Sequence, residues 1–226
     1  MKIAVITALQ TEFDLVKNIF TSLREFEGKN IKFLKGKIGN NEVILMKCGI
    51  GKVNAAVGLT ELLHVFSPEL VINTGVAGGI DKNIKVCDVI VAVRCCYHDV
   101  WCGEGAWGQV QELPLYFESD NKTISILREI SDKTVHFGLI CTGDQFVTEQ
   151  TGFQEIKRNF PNALAVDMES AALAQVCYLR NVPFISIRVI SDTPNSEADN
   201  TTQYFDFWET APKRSFDLLK KVLTAL

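Results

Sequence analysis

Three acidic side chains occupy positions at which they could do chemistry: Glu12, Glu169 and Asp192. Glu12 follows the apolar run KIAVIT, Asp192 follows FISIRVI, and Glu169 lies within the alanine-rich stretch ALAVDMESAALAQVC. Burying an ionised carboxylate without partners is unfavourable, so acids in such segments need a reason. Two carboxyl groups that face one cleft can act as general base and general acid. That arrangement breaks glycosidic bonds through an oxocarbenium-like state.

Each of these acids also has a purely structural interpretation. A helix that begins near Met168 would place Asp167 and Glu169 at its N-terminus, where the helix dipole favours negative charge. An inward-facing carboxylate there could instead accept hydrogen bonds from both hydroxyls of a vicinal diol. Glu12 could be an ordinary first-turn acid, and Asp192 a turn-forming acid. The local sequence leaves both interpretations open.

Alternating apolar and helical segments predict the framework that must position these acids. Apolar, β-branched runs predict buried strands at 2–7, 42–47, 69–73, 86–92, 135–142 and 184–190. Helical patterns cover 11–22, 52–66, 152–159, 168–180 and 209–225. This alternation favours a three-layer α/β/α fold with a central mixed, largely parallel sheet. A hairpin-like pair near 31–47 would supply an antiparallel part.

Glycines and acids follow most of the predicted strands. The segments after five of them read ALQTE, CGIGK, TGVAGG, GDQF and SD. Ligands of open α/β sheets bind beyond the carboxyl ends of the strands. Glycine-rich turns alone would explain any one of these loops, but the five together favour a binding site at this edge.

Cofactor and metal motifs are weak in this chain. GIGKVN begins like a dinucleotide fingerprint, but Asn54 replaces its third glycine, and no GxxxxGK[ST] motif occurs. His64, His98 and His136 are far apart, so their spacing predicts no metal site. The seven cysteines show no paired metal spacing, which favours reduced core thiols in a cytoplasm. We expect neither a metal nor an organic cofactor.

The composition predicts an ordinary globular protein. The 226 residues are 47% hydrophobic with a formal net charge of −4, and we expect one domain over residues 1–226. This net negative charge does not favour binding to nucleic acid or to a membrane surface. The segment MKIAVITALQTEF is interpreted as a first strand rather than a signal peptide, and no stretch approaches a transmembrane length.

Four segments together resemble a known family. NTGVAGGI (73–80), AVDMESAALAQVC (165–177), VPFISIRVISD (182–192) and KIAVITALQTEF (2–13) are similar to the 5'-methylthioadenosine/S-adenosylhomocysteine nucleosidases. The resemblance runs in order over nearly the whole chain and implies the nucleoside phosphorylase fold. It also implies hydrolysis of the N-glycosidic bond of a nucleoside, with release of adenine and a 5-thioribose derivative.

The resemblance implies a role for each acid. Glu12 would activate the attacking water, and Asp192 would protonate N7 of the purine so that the base leaves more readily. Glu169 would bind the ribose hydroxyls, with Met168 packed under the sugar. Ser191 would help to hold Asp192.

The remaining implied positions surround the base and the sugar. Phe146 would stack on the base, and the backbone of Val147 would read its edge. Arg188 would orient the acids, and Tyr204 or Phe205 would cap the sugar or its 5' substituent. The walls of the water and sugar sites would be Ala8, Ile50, Val76, Ala77 and Gly78.

The chain departs from the family pattern in two places. Many members carry a hydroxyl residue where Val76 stands, which leaves the water to backbone groups. In the family, a loop with Phe and Tyr reaches the 5' pocket of a second subunit, which implies a homodimer. The corresponding segment here, 98–114, has Gly103 and Gly105 near those positions, with Trp101 and Trp107 close by. The tryptophans could equally be surface or interface aromatics.

Three other functions are compatible with a fold of this type. A purine nucleoside phosphorylase needs cations around phosphate. Here Asn73 and Thr74 precede the glycine turn, and Arg94 and Arg188 alone are too few. A hydrolase of another nucleoside, such as futalosine, would share the fold. A silent nucleoside-binding protein would not need all three acids.

Overall fold

The computed structural model describes residues 1–27, 32–148, 150–194, 199–210 and 216–226. Within these ranges, ten strands form one mixed sheet. The strands are β1 (Lys2–Thr7), β2 (Ser22–Glu27), β3 (Lys32–Ile38), β4 (Asn41–Lys47), β5 (Leu70–Gly79), β6 (Val89–Tyr97), β7 (Phe117–Glu118), β8 (Val135–Thr142), β9 (Ala163–Asp167) and β10 (Phe184–Asp192).

Helices cover the sheet on both faces. They are α1 (Gln10–Lys17), α2 (Lys52–Phe66), α3 (Asn121–Ile130), α4 (Gln150–Asn159), α5 (Ser170–Arg180), α6 (Asn200–Thr210) and α7 (Asp217–Ala225). The bounds predicted for β1, β8 and α2 match the structure. The helix predicted at 209–225 is replaced by the end of α6 and by α7, and residues 211–215 lie outside the described ranges.

The sheet is partly closed on itself. Strands follow the order β10-β6-β8-β9-β5-β1-β4-β3-β2, and β10 also pairs with β5, so five strands complete a ring. Strand β1 runs parallel to β4 and β5, and β5 runs parallel to β10. The predicted hairpin appears as the antiparallel pair β3–β4. Antiparallel pairs β10–β6 and β5–β9, which were not predicted, close the ring.

Alternate residues of the central strands face two separate apolar cores. In β1, Ala4 and Ile6 join the core beneath α2 and α5, whereas Ile3 and Val5 join the core beneath α1, α3 and α7. All four side chains are buried. The predicted three-layer α/β/α arrangement is therefore confirmed, because both faces of the central sheet are covered by helices.

Several elements differ from the predictions. The alanine-rich segment starts as strand β9, and α5 begins only at Ser170. The glycine-rich segment after residue 73 is not a turn but the continuation of β5 to Gly79. Helix α1 ends at Lys17, and the remainder of its predicted range leads into β2. Helices α3 and α6 were not predicted.

Candidate active site

A cavity of about 530 Å³ opens where β1, β5, β9 and β10 end. The structure brings every site residue inferred from the sequence to its wall: Ala8, Glu12, Ile50, Val76, Ala77, Gly78, Phe146, Val147, Met168, Glu169, Arg188, Ser191, Asp192 and Tyr204. Asp167 and Phe205 also line it. Asp167 and Asp192 end strands β9 and β10, and Glu169 follows β9 by two residues, as expected for a site at the strand ends of such a sheet.

Glu12 is held in place by backbone groups from two strand ends. Its Oε2 accepts hydrogen bonds from the N–H groups of Ala8 and Leu9, each at 2.9 Å, and its Oε1 accepts one from Val76 at 3.0 Å. The side chain is only 1% exposed. Burial raises the pKa of Glu12, and the charge of Arg188 and the three hydrogen bonds oppose that rise.

Gly75 allows Glu12 and Arg188 to come this close to β5. A Cβ atom at position 75 would lie 2.4 Å from Glu12 Oε1 and 2.6 Å from Arg188 Nη1. This glycine of the GVAGG motif therefore serves a close side-chain approach inside a strand, and not a tight turn.

Arg188 is a buried cation at the centre of the acids. Its Nη2 lies 2.7 Å from Asp167 Oδ2 and 3.2 Å from Glu169 Oε2, and it donates to Asn73 Oδ1 at 2.6 Å. Its Nη1 donates to the carbonyl of Val76 at 3.3 Å. A guanidinium with this many acceptors is fixed in orientation, so it can orient the carboxylates around it.

Glu169 bridges this cation and the loop before α2. Its Oε1 accepts from the N–H of Gly51 at 3.0 Å, while Oε2 faces Arg188. Burial raises the pKa of Glu169 from 4.5 to about 7; Arg188 opposes the rise and the neighbouring Asp167 adds to it. Glu169 occupies the N-cap position of α5 but makes no side-chain cap hydrogen bond, so helix capping does not account for its carboxylate.

Asp167 stabilises the N-terminus of α5, which is the structural interpretation that the sequence offered for it. Its carboxylate accepts from the N–H of Ser170 at 3.2 and 3.3 Å and from Thr142 Oγ1 at 2.5 Å, in addition to its ion pair with Arg188. It thereby ties the start of α5 to β8 and to β10, although it also lines the cavity.

Asp192 ends β10 in a different environment from the other acids. Its Oδ1 accepts from Ser191 Oγ at 2.7 Å, and its Oδ2 accepts from Asn200 Nδ2 at 2.7 Å. The residue is 2% exposed. Burial raises the pKa of Asp192, and the two hydrogen bonds oppose the rise. This carboxyl therefore holds its proton to a higher pH than an exposed aspartate does.

Aromatic and apolar side chains form the mouth of the cavity. Phe146 is 51% exposed and meets the ring of Tyr204 edge to face, with centroids 5.5 Å apart. Tyr204 contacts Phe205 in the same way at 5.7 Å. A half-exposed aromatic pair over a polar floor is suited to a flat ring such as a nucleobase.

The 98–114 segment does not line this cavity in the described part of the chain. Trp101 and Trp107 stack with centroids 5.8 Å apart and an interplanar angle of 16°. Trp107 Nε1 donates to the carbonyl of His98 at 2.8 Å. Gly103 and Gly105 have φ angles of +84° and +82°, which L-residues rarely adopt.

The sequence did not reveal four residues that line the cavity, nor four polar residues that support Asp167, Arg188 and Asp192 through hydrogen bonds. The cavity-lining residues that were not inferred from it are Leu9, Gln145, Val166 and Thr201. The supporting residues that were not inferred from it are Asn73, Ser170, Ser186 and Asn200. Asn73 lies within NTGVAGGI and was detectable there as a polar residue inside a buried strand. The other three give no local signal.

Other features bear on redox state and metals. None of the seven cysteines forms a disulfide bond, and the sulfurs of Cys96 and Cys141 lie within hydrogen-bonding distance at 3.6 Å. Among the described residues, no cluster of three or more His, Cys, Asp or Glu side chains is arranged to hold a metal ion. In the same residues, no helix has the length and apolar character needed to cross a membrane.

The chain is similar to known proteins over nearly its whole length. The family model of the phosphorylase superfamily matches residues 2–225. The 5'-methylthioadenosine/S-adenosylhomocysteine nucleosidase of Haemophilus influenzae (strain PittEE) is 38% identical, with all of both chains covered. The S. pneumoniae nucleosidase of that name, solved with the transition-state inhibitor MT-ImmA, is 36% identical with a TM-score of 0.93, covering 100% of this chain and 99% of that one.

A structure with a different name is also similar. A futalosine hydrolase mutant of Helicobacter pylori strain 26695 is 27% identical with a TM-score of 0.92, and both chains are fully covered. Its identity is lower than that of the nucleosidases, whose full-length matches exceed 30%. The chain therefore belongs to the phosphorylase superfamily and, within it, to the 5'-methylthioadenosine/S-adenosylhomocysteine nucleosidase family.

Proposed function

We propose that this protein hydrolyses the N-glycosidic bond of 5'-methylthioadenosine, S-adenosylhomocysteine or both, and releases adenine and a 5-thioribose derivative. The observation that carries the proposal is the convergence of Glu12, Glu169 and Asp192 on one cavity, all at most 4% exposed. The names of the similar nucleosidases support the choice of substrate.

In this mechanism Glu12 is the general base. Three backbone N–H groups hold its carboxylate in one orientation, and its raised pKa makes it a stronger base than an exposed glutamate. It takes a proton from water as the oxygen attacks the anomeric carbon. The N–H of Val76 is engaged by Glu12, so it serves the base rather than the water.

Asp192 is the general acid in this proposal. A purine anion is a poor leaving group, and a proton delivered to N7 lets the base leave neutral. The buried carboxyl, with its raised pKa, holds that proton closer to neutral pH than an exposed aspartate would. Ser191 holds one carboxyl oxygen. Acid and base catalysis contribute about 10²–10⁴-fold each.

Other wall residues bind the substrate. Glu169 accepts hydrogen bonds from the two ribose hydroxyls, and Arg188 keeps its carboxylate in position. Met168 packs under the sugar, Phe146 stacks on the base and the backbone of Val147 reads its edge. Tyr204 or Phe205 caps the sugar or its 5' group. Ala8, Ile50, Val76, Ala77 and Gly78 enclose the water and the sugar.

The charge of the cavity argues against phosphate as the nucleophile. Among the described lining residues, the carboxyl groups of Glu12, Asp167, Glu169 and Asp192 surround one guanidinium, that of Arg188. Arg94 lies over the ring of Tyr116, 4.1 Å from its centroid, and is not part of the lining. A phosphate dianion would meet net negative charge, which is the opposite of what a phosphorylase requires.

Product analysis with and without phosphate tests the reaction type. We expect equal rates of adenine release in both conditions, with a free 5-thioribose product. A requirement for phosphate, with formation of a sugar 1-phosphate, would contradict hydrolysis. The control is the same assay with the variant Glu12→Gln, which should lose turnover in both buffers.

The second candidate is a futalosine hydrolase, favoured by the structural likeness to the H. pylori protein. The two candidates differ in the nucleoside that is bound and not in the type of bond that is cleaved. Comparison of kcat/KM for methylthioadenosine, S-adenosylhomocysteine, futalosine, adenosine and inosine separates them. A preference for futalosine would overturn the proposed substrate and leave the reaction type intact.

We also propose that the protein forms a homodimer through the outer face of α2. Val53 and Val57 lie one turn apart on this helix and are 72% and 54% exposed, next to the half-exposed Ile50 at the cavity mouth. Val57→Glu should shift the molar mass measured by light scattering from dimer to monomer. Val86→Glu, at a 37% exposed valine elsewhere, is the matched control. A monomeric wild type would contradict the proposal.

Two further proposals complete the assignment. Residues 1–226 act as one domain, since strands from both halves of the chain share one sheet. The enzyme works in the cytoplasm, where the seven cysteines, including the close pair Cys96 and Cys141, would stay reduced and without disulfide bonds. Cell fractionation followed by the adenine-release assay tests the location.

A further inference from the structure

Asn200 is a buried side chain that contacts the acid of the site without lining the cavity. It is the first residue of α6 and is 6% exposed. Its Nδ2 donates to Asp192 Oδ2 at 2.7 Å, the same length as the bond from Ser191 Oγ to Oδ1. Both carboxyl oxygens of Asp192 are therefore occupied by donors, one from its own strand and one from a helix.

The start of α6 is firmly attached to β10, so the position of Asn200 is well determined. Asp199 accepts from the N–H of Thr202 at 3.0 Å and from its hydroxyl at 2.7 Å. Gln203 accepts from the N–H of Thr193 at 3.1 Å and donates to its carbonyl at 2.9 Å. The Asp199 bonds fix the first turn of α6, and the two Gln203 bonds hold that helix against Thr193, the residue that follows Asp192.

The groups around Asp192 leave the stabilisation of its carboxyl to the two donors, Ser191 and Asn200. Around its carboxyl, β5 contributes the backbone near Gly78 and β9 contributes Val166. The ionisable groups that share the cavity with it are Glu12, Asp167, Glu169, Arg188 and the phenol of Tyr204, and Asp199 lies beside Asn200 on α6. None of these groups makes a hydrogen bond to Asp192 among the described contacts, so Ser191 and Asn200 provide its polar contacts there.

An amide is chemically suited to this place. It carries no charge at any relevant pH, so it stabilises a carboxylate without competing for the proton. Hydrogen bonds donated to a charged carboxylate favour the ionised form. We propose, on the basis of the function proposed above, that Asn200 is a positioning residue for the acid, because its amide fixes the Asp192 carboxyl through Oδ2 and stabilises the ionised form.

The test compares Asn200→Ala with the isosteric Asn200→Asp and with Gln203→Ala. The Gln203 variant loosens the attachment of α6 to β10 but leaves both donors to Asp192 in place. The first readout is the pH titration of the Asp192 carboxyl carbon by ¹³C NMR, with the signal assigned by its absence in Asp192→Asn. The second readout is the pH profile of kcat/KM for adenine release.

Loss of the amide donor should raise the titration midpoint of Asp192 by roughly one to two pH units. The free energy of a hydrogen bond to a charged group corresponds to a pKa shift of that size. The basic limb of kcat/KM should move upward by the same amount, because the acid must be protonated to act. Asn200→Asp should move both further, as two adjacent carboxyls share one proton. Gln203→Ala keeps the amide of Asn200 and should move both by clearly less.

An unchanged Asp192 midpoint in Asn200→Ala would overturn the inference, and so would an equal shift in Gln203→Ala. The NMR titration needs no turnover. If the wild type releases no adenine, the proposed function fails while the titration still decides the part played by Asn200. If the wild type is active and the midpoint does not move, only the inference about Asn200 fails.

Discussion

The substitution Asp192→Asn removes the proton that we assign to the leaving base and keeps the size and shape of the side chain. The new amide oxygen can still accept from Ser191 Oγ, at the place where Oδ1 accepts at 2.7 Å. Its NH₂ group then faces Asn200, which must turn its own amide by half a rotation to present an acceptor. The site is thus expected to keep its geometry.

The magnitudes of the two effects of Asp192→Asn are very different. Loss of general acid catalysis should lower kcat by about 10²–10⁴-fold, which corresponds to about 3–5 kcal/mol of transition-state stabilisation. An imperfect bond to Asn200 would cost about 0.5–1.5 kcal/mol of stability. The raised pKa of Asp192 shows that burial of its ionised form is unfavourable, and the amide removes that cost. The free energy of unfolding should therefore change little.

Three measurements check this prediction: steady-state adenine release from methylthioadenosine, calorimetric binding of adenine and urea unfolding. The matched control is Asp81→Asn, which removes the partner of Lys157 at 2.9 Å outside the cavity. The control should keep wild-type turnover. If Asp192→Asn turns over substrate at the wild-type rate while binding normally, Asp192 is not the acid and the reasoning is refuted.

Three further predictions concern Glu12 as the proposed base, Gly75 on the strand beside it, and Glu169 as the proposed diol-binding acid. Glu12→Gln should lower kcat by about 10²–10⁴-fold in the adenine-release assay, because an amide cannot accept a proton from water, and unchanged turnover would exclude Glu12 as base. Gly75→Ala should abolish turnover and lower the free energy of urea unfolding by roughly 1–3 kcal/mol, because the added methyl group would lie 2.4 Å from Glu12 Oε1 and 2.6 Å from Arg188 Nη1. Burial raises the pKa of Glu169 from 4.5 to about 7, so the folded state binds its proton more tightly than the unfolded state. The stability from this group is full below about pH 4.5 and should fall by about 3 kcal/mol as pH rises through 7. Urea titrations over that range should show a flatter slope for Glu169→Gln, and an equal slope would contradict the assignment.

Local pattern was sufficient for elements whose sequence preference agrees with their packing. Strands β1 and β8 and helix α2 have the predicted bounds, because β-branched runs and helical periodicity were unambiguous there. Strand β9 was missed because ALAVD is rich in alanine, the best helix former, and only pairing with β8 and β5 makes it extended. Strand β5 continues through its glycines for the same reason, since β10 pairs with it from Val71 to Gly78.

Residue types and motifs alone were enough to identify the acids and the family resemblance. Glu12, Glu169 and Asp192 stand out locally because they interrupt or follow apolar runs. The comparisons confirm the family and the fold class. The role of Asp167 could not be assigned in this way, because an acid before a helix is expected both for helix capping and for ligand contact. Its ion pair with Arg188 is visible only in the tertiary structure.

The tertiary structure decided how these groups act on one another. Residues far apart in the chain meet because strands β1, β5, β9 and β10 of one sheet bring them to the same cavity. A charge responds to its distance from other charges and from water rather than to sequence separation. The orientation of Glu12 by Val76, the shared cation Arg188 and the second donor to Asp192 all follow from that convergence. The sequence by itself determined which acids are present, and their packing determined in which direction the pKa of each one shifts.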